Sequence, residues 1–208
     1  MIRATLFAAT ALTLVACGEG REPAAERVPL DLTPAVLDGS AQWIVDRSAS
    51  TAGFNGTMNG NAFSGSFENF AVAIVLDPEA PETDGAIDAQ FDLGSASVPN
   101  DSEKTDALPG ETWFHIDLHP VATYRSDAIT ATGPGTYEAQ GSLSLKGFSQ
   151  PVSVPFTLEI GPDGRAVADA SVMLNRSDFQ VGTGEFAEGK WVSFDVEVVF
   201  HIEAVPAG

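Results

Sequence analysis

An all-β fold, an eight-stranded antiparallel barrel with an apolar interior, is what this sequence predicts, and three observations carry the prediction. Apolar and polar residues alternate with period two from Gln42 to Ala204, the spacing of half-buried strands. Gly, Pro, Asn and Asp cluster between the alternating runs, where turns are needed. The polar face carries acids in mid-strand, Asp195 and Glu197 among them, where a lipid-facing strand would be destabilised. The apolar face therefore points inward.

Taken in order, Phe70, Val72, Ile74 and Leu76 form the first clear alternation, ended by Asp77-Pro78. Ile87, Ala89, Phe91 and Leu93 form the next, between acids and polars. Only Glu103–Leu108 hints at a helical turn. After Gly133-Pro134-Gly135, Tyr137, Ala139, Gly141, Leu143 and Leu145 alternate up to Gly147. Val152, Val154, Phe156, Leu158 and Ile160 follow, offset by Ser153, Pro155, Thr157 and Glu159. Gly161-Pro162-Asp163-Gly164 turns the chain into Ala166, Ala168, Ala170, Val172 and Leu174. The last run, Val192, Phe194, Val196, Val198, Phe200, Ile202 and Ala204, is the longest. About eight such strands close most simply into a barrel, which removes the exposed edges.

The chain before this texture is different. Ala4–Ala16 is apolar or small, follows Arg3 and runs into Cys17, the single cysteine. That run is too short to span a bilayer, which takes about 20 residues, and suits a secretory leader over residues 1–16. Leu14-Val15-Ala16-Cys17 resembles a bacterial lipobox, which implies cleavage before Cys17 and its acylation. Two or three acyl chains anchor a protein stably where one does not. Gly18 in place of Asp lacks the inner-membrane retention signal of such lipoproteins, so the expectation is an outer-membrane lipoprotein facing the periplasm. Residues 18–41 hold three prolines, no aromatic residue and little periodicity. They read as a tether of roughly 25–30 Å at coil dimensions, with one barrel domain over 42–208.

With Cys17 committed to an anchor, the barrel has no thiol for a disulfide and must be stabilised by burial. The chain carries 10 basic and 29 acidic residues, a formal charge of −19. Nucleic acid and anionic headgroups repel such a surface. Solubility explains the acidity more simply than any basic partner does.

An eight-stranded barrel either packs solid or holds one small ligand. The inward list mixes bulky Phe with Ala89, Ala139, Gly141, Ala166, Ala168 and Ala170. Small residues on neighbouring strands leave volume for a long apolar ligand, or they fit a taper that larger side chains fill. Composition leaves both open.

Several segments, in order, resemble the YceI-like family of exported bacterial proteins across about residues 42–205. They are Trp43-Ile44-Val45-Asp46-Arg47-Ser48, then Phe54 before Gly65-Ser66-Phe67-Glu68-Asn69-Phe70. Trp113-Phe114-His115 precedes His119-Pro120-Val121-Ala122-Thr123-Tyr124-Arg125-Ser126. Tyr137 to Gly147, with its Gly-x-Leu-x-Leu-x-Gly, leads to Gln150-Pro151-Val152. Asn175-Arg176-Ser177-Asp178-Phe179-Gln180-Val181-Gly182, with its Arg-x-Asp-Phe, comes last. The resemblance implies a lipocalin-like barrel with a hydrophobic tunnel for polyisoprenoid or quinone-type lipid, and dimers are known in that family. Two family histidines are missing: Met58 follows Phe54 by four residues, and Lys104-Thr105-Asp106-Ala107-Leu108 stands before the aromatic pair. These bear on the headgroup more than on the tunnel.

Catalysis has little support. No GxSxG elbow occurs. His115 and His119 have helical chelate spacing but precede Pro120 in an expected strand context, so they read as loop or rim residues. His201 falls on the outward face of the last strand. Arg176 and Asp178 would pair at the rim as i and i+2 neighbours of one strand. The expectation is a non-enzymatic lipid binder with no cofactor or metal, anchored to the membrane through acylated Cys17. Phe67, Phe91, Trp113, Phe114, Leu143, Leu145, Phe156, Phe194 and Val196 are the wall residues expected, only one of Trp113 and Phe114 pointing inward on a strand. A filled barrel with a structural or stress-protective role is the alternative, and a lipid hydrolase ranks third.

Overall fold

The two ends of the domain meet. In the computed structural model, which describes residues 27–207, β1 (Gln42–Val45) lies antiparallel to the C-terminal strand, Trp43 opposite Pro206 and Val45 opposite Ala204. β2 (Thr51–Met58) continues along the same edge, from Thr51–His201 to Asn55–Glu197. The two are one stave broken by an Asx turn, in which Asp46 Oδ1 accepts from Ser48 N at 3.1 Å and Ser48 Oγ at 2.7 Å. β3 (Asn61–Phe67) pairs with β2 and β4 (Phe70–Val75) with β1, forming the second stave. A short helix, α1 (Pro81–Asp84), leads to the third, β5 (Ala86–Asp92) on β4 and β6 (Ala96–Ser97) on β3.

Neighbouring side chains tie the three bends together. Arg47 donates to Asn69 Oδ1 at 3.2 Å, and Asn69 Nδ2 donates to Asp92 Oδ2 at 3.1 Å. After α2 (Ser102–Ala107), capped by Asp101 on the Lys104 amide, five unbroken strands complete the ring. They are β7 (Val121–Gly133), β8 (Thr136–Leu145), β9 (Phe148–Ile160), β10 (Ala166–Asn175) and β11 (Asp195–Pro206). β7 pairs with β5, each later strand with the one before, and β11 with β1, so eight staves close in chain order.

Local chemistry sets the corners. Asn59 and Gly60 have φ of 52° and 77°, and Lys146 and Gly147 have 52° and 80°, the paired positive angles of two-residue hairpin turns. Gly65 lies directly opposite Phe54, and a Cβ there would stand 2.1 Å from the Phe54 ring. Removing that Cβ lets the ring lie flat over the neighbouring stave. The predicted alternation runs through the barrel: Val72 and Ile74, Ile87 and Ala89, Val152 to Leu158, Ala166 to Leu174 and Val198 to Ala204 all face the interior. The helical turn expected at Glu103–Leu108 is α2.

His115 and His119 lie in a run of turns, as loop residues, with His115 at φ 51°, and the strand begins only at Val121. One expectation needs correcting. Residues 27–41 of the expected free tether are docked on the barrel: residues 30–35 form a strap on the outer face of β5, and Ala41 O accepts from Leu76 N at 2.8 Å. Leu30, Thr33 and Ala35 donate backbone N–H to the side chains of Asp92, Gln90 and Asp88 at 3.0, 3.1 and 3.0 Å. These i, i+2 positions share the outward face, and Arg125 closes over Asp88 at 2.7 Å. Among the described residues, no helix is long and apolar enough to cross a membrane.

Candidate functional site

The barrel interior is hollow. A cavity of about 190 Å³ runs along it, from Trp43, Leu76 and Ala204 at the α1 end to Phe114, Leu145 and Leu174 beneath the loops of the other end. Its volume comes from the small inward residues, since Ala89, Ala122, Ala139, Ala166, Ala168 and Ala170 all line it among Phe67, Phe91, Phe156 and Phe200. On the hollow side Val152, Val154, Phe156 and Leu158 face inward yet stay only partly buried. Opposite them Phe91 is buried and its ring contacts those of Phe67, Phe70 and Phe200 at centroid distances of 5.9, 6.3 and 5.6 Å.

Nothing polar is offered to a ligand in this wall. Trp43 Nε1 donates to Leu76 O at 2.9 Å, and Tyr124 Oη donates to Ala139 O at 2.8 Å. Burial, with Asp127 and Glu138 adding negative charge, pushes the Tyr124 hydroxyl up to about 12. The phenol stays neutral and occupied as a donor at physiological pH.

The loop end is held by two buried cations. Arg176, 4% exposed, places all five of its N–H donors on backbone carbonyls: Nε on Ser193, Nη1 on Val181 and Gly182, Nη2 on Phe186 and Val192. Trp113 and Phe194 flank its guanidinium, with ring centroids 6.0 and 5.3 Å from the central carbon. Lys146 Nζ donates to Glu111 O, Thr112 O and Gln180 O at 2.8, 3.3 and 2.7 Å. Burial lowers the pKa of both cations. Together they pin residues 111–112 and 180–193 over the barrel.

Of the wall residues expected from sequence, Phe67, Phe91, Phe114, Leu143, Leu145 and Phe156 line the cavity. Trp113, Phe194 and Val196 do not. Trp113 and Phe114 sit in a turn, not a strand, so Phe114 dips inward while Trp113 turns to Arg176 and to Phe186, 5.1 Å away. Phe194 precedes β11 and covers the other side of the guanidinium. Val196 pairs with Leu174 one step beyond the lining. The Arg176–Asp178 rim pair is also absent: both residues lie in a 3₁₀ turn, Arg176–Phe179, and the guanidinium points inward. Sequence reading missed Trp43, Tyr124 and Leu76 as wall residues, although Leu76 was already in an inward series. Cys17 and the leader lie outside the described residues.

The histidines are peripheral. His115 and His119 meet edge-on, 6.0 Å between ring centroids. His201 Nδ1 lies 2.7 Å from Asp169 Oδ1, which raises its pKa. Among the described residues no cluster of three His, Cys, Asp or Glu could hold a metal ion.

Comparison with known proteins follows from this geometry. Residues 43–204 match the family model of the YceI-like domain. A UPF0312 protein of Azotobacter vinelandii is 28% identical over 119 residues, 55% of this chain and 60% of that protein, so the match spans less than two thirds of its length. A UPF0312 protein of Ectopseudomonas mendocina is 27% identical over 176 residues, 80% of this chain and 88% of the relative. Among solved structures, Burkholderia cenocepacia BcnA superposes with a TM-score of 0.74 at 28% identity, covering 78% of this chain and all of that one (100%). A polyisoprenoid-binding domain from Saccharophagus degradans, implicated in plant cell wall breakdown, has the same fold at a TM-score of 0.64 and 13% identity, covering 80% and 99%.

Proposed function

This chain belongs to the YceI-like domain family, and on that premise we propose that its barrel binds a long apolar lipid of the polyisoprenoid or quinone type, for transport or storage and without chemistry. One observation carries the reading: a continuous cavity whose wall is apolar throughout and whose few polar atoms are already hydrogen-bonded. Such a cavity rewards displacement of water by hydrocarbon at about 25 cal/mol per Å² of apolar surface buried, and it selects for length and shape. No side chain in the wall is placed to attack or protonate a ligand, since the Tyr124 proton is committed to Ala139 O. The polyisoprenoid-binding domain of S. degradans shares the fold.

The anchoring part of the proposal rests on sequence. An acylated Cys17 would hold the protein at the outer membrane, facing the periplasm. Because the strap is docked back to Arg27, which stands over Gly94, only residues 18–26 separate barrel and anchor. At about 3.5 Å per residue that span cannot exceed roughly 35 Å, so the barrel works within reach of the bilayer.

The test is cavity filling. Ala170 points into the hollow side and lies opposite Phe156. Ala170→Phe should cut affinity for a prenylated benzoquinone by about tenfold or more, with thermal stability unchanged or raised, because void is replaced by contact. The same change at outward-facing Gln140 should leave affinity intact. Equal binding by wild type and Ala170→Phe would mean that the cavity is not the site.

A further inference from the structure

The barrel wall is unzipped along one seam. β9 and β10 pair from Ile160–Ala166 to Phe156–Ala170 and then stop. β9 nevertheless goes on pairing with β8 as far as Phe148–Leu145, and β10 with β11 as far as Asn175–Asp195. Continued in register, Pro155 would face Ser171, Ser153 would face Met173 and Pro151 would face Asn175.

The prolines explain the break. Leu158 N–H donates to Gly135 O at 2.9 Å, on the β8 side. In an antiparallel ladder a residue turns its N–H and C=O toward the same neighbour, and successive residues alternate. Even-numbered residues of β9 therefore serve β8, and odd-numbered residues face β10. Of the three odd positions in the unpaired stretch, two are Pro151 and Pro155, which have no N–H to give. The β8 ladder loses nothing, because the prolines never faced it.

The seam has a depth and a destination. An opening of about 210 Å³ lies between the parted strands, rimmed by Gln150, Asn175 and Asp178 and backed by Val152, Val172 and Leu174. Those last three also line the central cavity. Met173 beside it is 62% exposed. The seam is bounded on one side by the Phe156–Ala170 pair and on the other by Gln150 Nε2 donating to Asp178 O at 3.3 Å. The loop end of the barrel is built oppositely: displacing its cover means breaking the bonds of Arg176 and Lys146 to eight carbonyls. Hydrogen bonds from charged donors are the strong ones, whereas no ladder bond need be broken at the seam.

We propose that the β9–β10 seam is a lateral portal, through which a single long apolar chain passes sideways into and out of the cavity. The proposal rests on the lipid-binding reading above. It also gives Pro151 and Pro155 a task that alternation alone does not, since a proline-free β9 would have closed the wall.

The test uses the full chain carrying Pro151→Thr and Pro155→Thr, which restores both N–H groups facing β10. Hydrogen exchange reports whether the seam has closed. The amides of Ser171 and Met173, facing β9, should exchange freely in the native chain and become protected in the variant. Uptake and release of a prenylated benzoquinone, followed by quenching of Trp43 in the cavity wall, should then slow together by about tenfold or more, the factor two added hydrogen bonds contribute. The equilibrium affinity should hardly move. A second variant works in the opposite direction: Thr157→Pro removes the next N–H toward β10 and should speed both rates. Protection gained with rates unchanged, or a Thr157→Pro chain exchanging ligand at the native rate, would overturn the portal alone. No quenching by the native chain would instead overturn the lipid-binding reading, and the portal with it.

Discussion

Arg176 and Lys146 sit in the two segments that most strongly mark the family resemblance, Arg-x-Asp-Phe and Gly-x-Leu-x-Leu-x-Gly, yet neither touches the cavity. Each is a buried cation solvated by backbone carbonyls in place of water, and each fastens loops that have no ladder of their own. The fork of Arg176 is matched to this task, since a lysine has three donors on one point and cannot address carbonyls from five directions. Arg176→Lys should therefore leave carbonyls at Val181, Gly182 or Phe186 unpaired and cost about 3 kcal/mol or more in urea unfolding. A cost below about 1 kcal/mol would mean that the loops are held by Trp113 and Phe194 packing instead. The expected Arg176–Asp178 pair shows the limit of sequence at this scale. Arg176 and Asp178 lie in a 3₁₀ turn, and strand parity says nothing once the chain leaves the strand. Trp113 and Phe114 escape strand parity for the same reason, since they lie in a turn.

Period-two patterning works at the scale of the element because strands with one buried face enforce it. Most of the alternating positions from Val72 to Ala204 face the interior as read, Ile160, Phe194 and Val196 excepted, and the inward alanines are what keep the barrel hollow. Three features were less legible. The bends that split the first three staves rest on Asp46 and Asp92, which accept from amides two residues on, and on Asn69, whose bond to Asp92 joins residues distant in sequence. The strap was invisible because its partners, Asp88, Gln90 and Asp92, look from sequence like an ordinary solvated face. The prolines of β9 fit the alternation, and only the strand order reveals which neighbour loses their N–H. The strap is separable from the barrel. Gln90 both accepts from Thr33 N and donates to Thr33 O, so Gln90→Ala should expose residues 28–37 to proteolysis and lose protection at the Thr33 amide. With Gln90 itself partly exposed, the cost in stability should stay within about 1 kcal/mol. Unchanged proteolysis would place the strap's hold on Asp88 and Asp92 alone.

For the whole molecule, the acidic surface, the ring of staves and the apolar void fit one description, a barrel with a polar exterior and a hollow apolar interior. An acidic surface repels nucleic acid, ring closure pairs every stave with two neighbours except along the β9–β10 seam, and alanines set among phenylalanines leave the space. The barrel and its polarity of faces were readable from the chain, because they depend on repetition over many residues. Whether the interior is full was not, since inward alanines suit either a taper or a tunnel until their partners are placed across the barrel. The most direct measurement is a native mass spectrum of residues 18–208, secreted to the periplasm behind a cleavable non-lipoprotein signal. The account predicts an extra mass, released on denaturation, that fragments as a prenyl chain. A bare protein mass, with no uptake of added polyprenol or prenylated quinone, would contradict it and leave a barrel with a structural role.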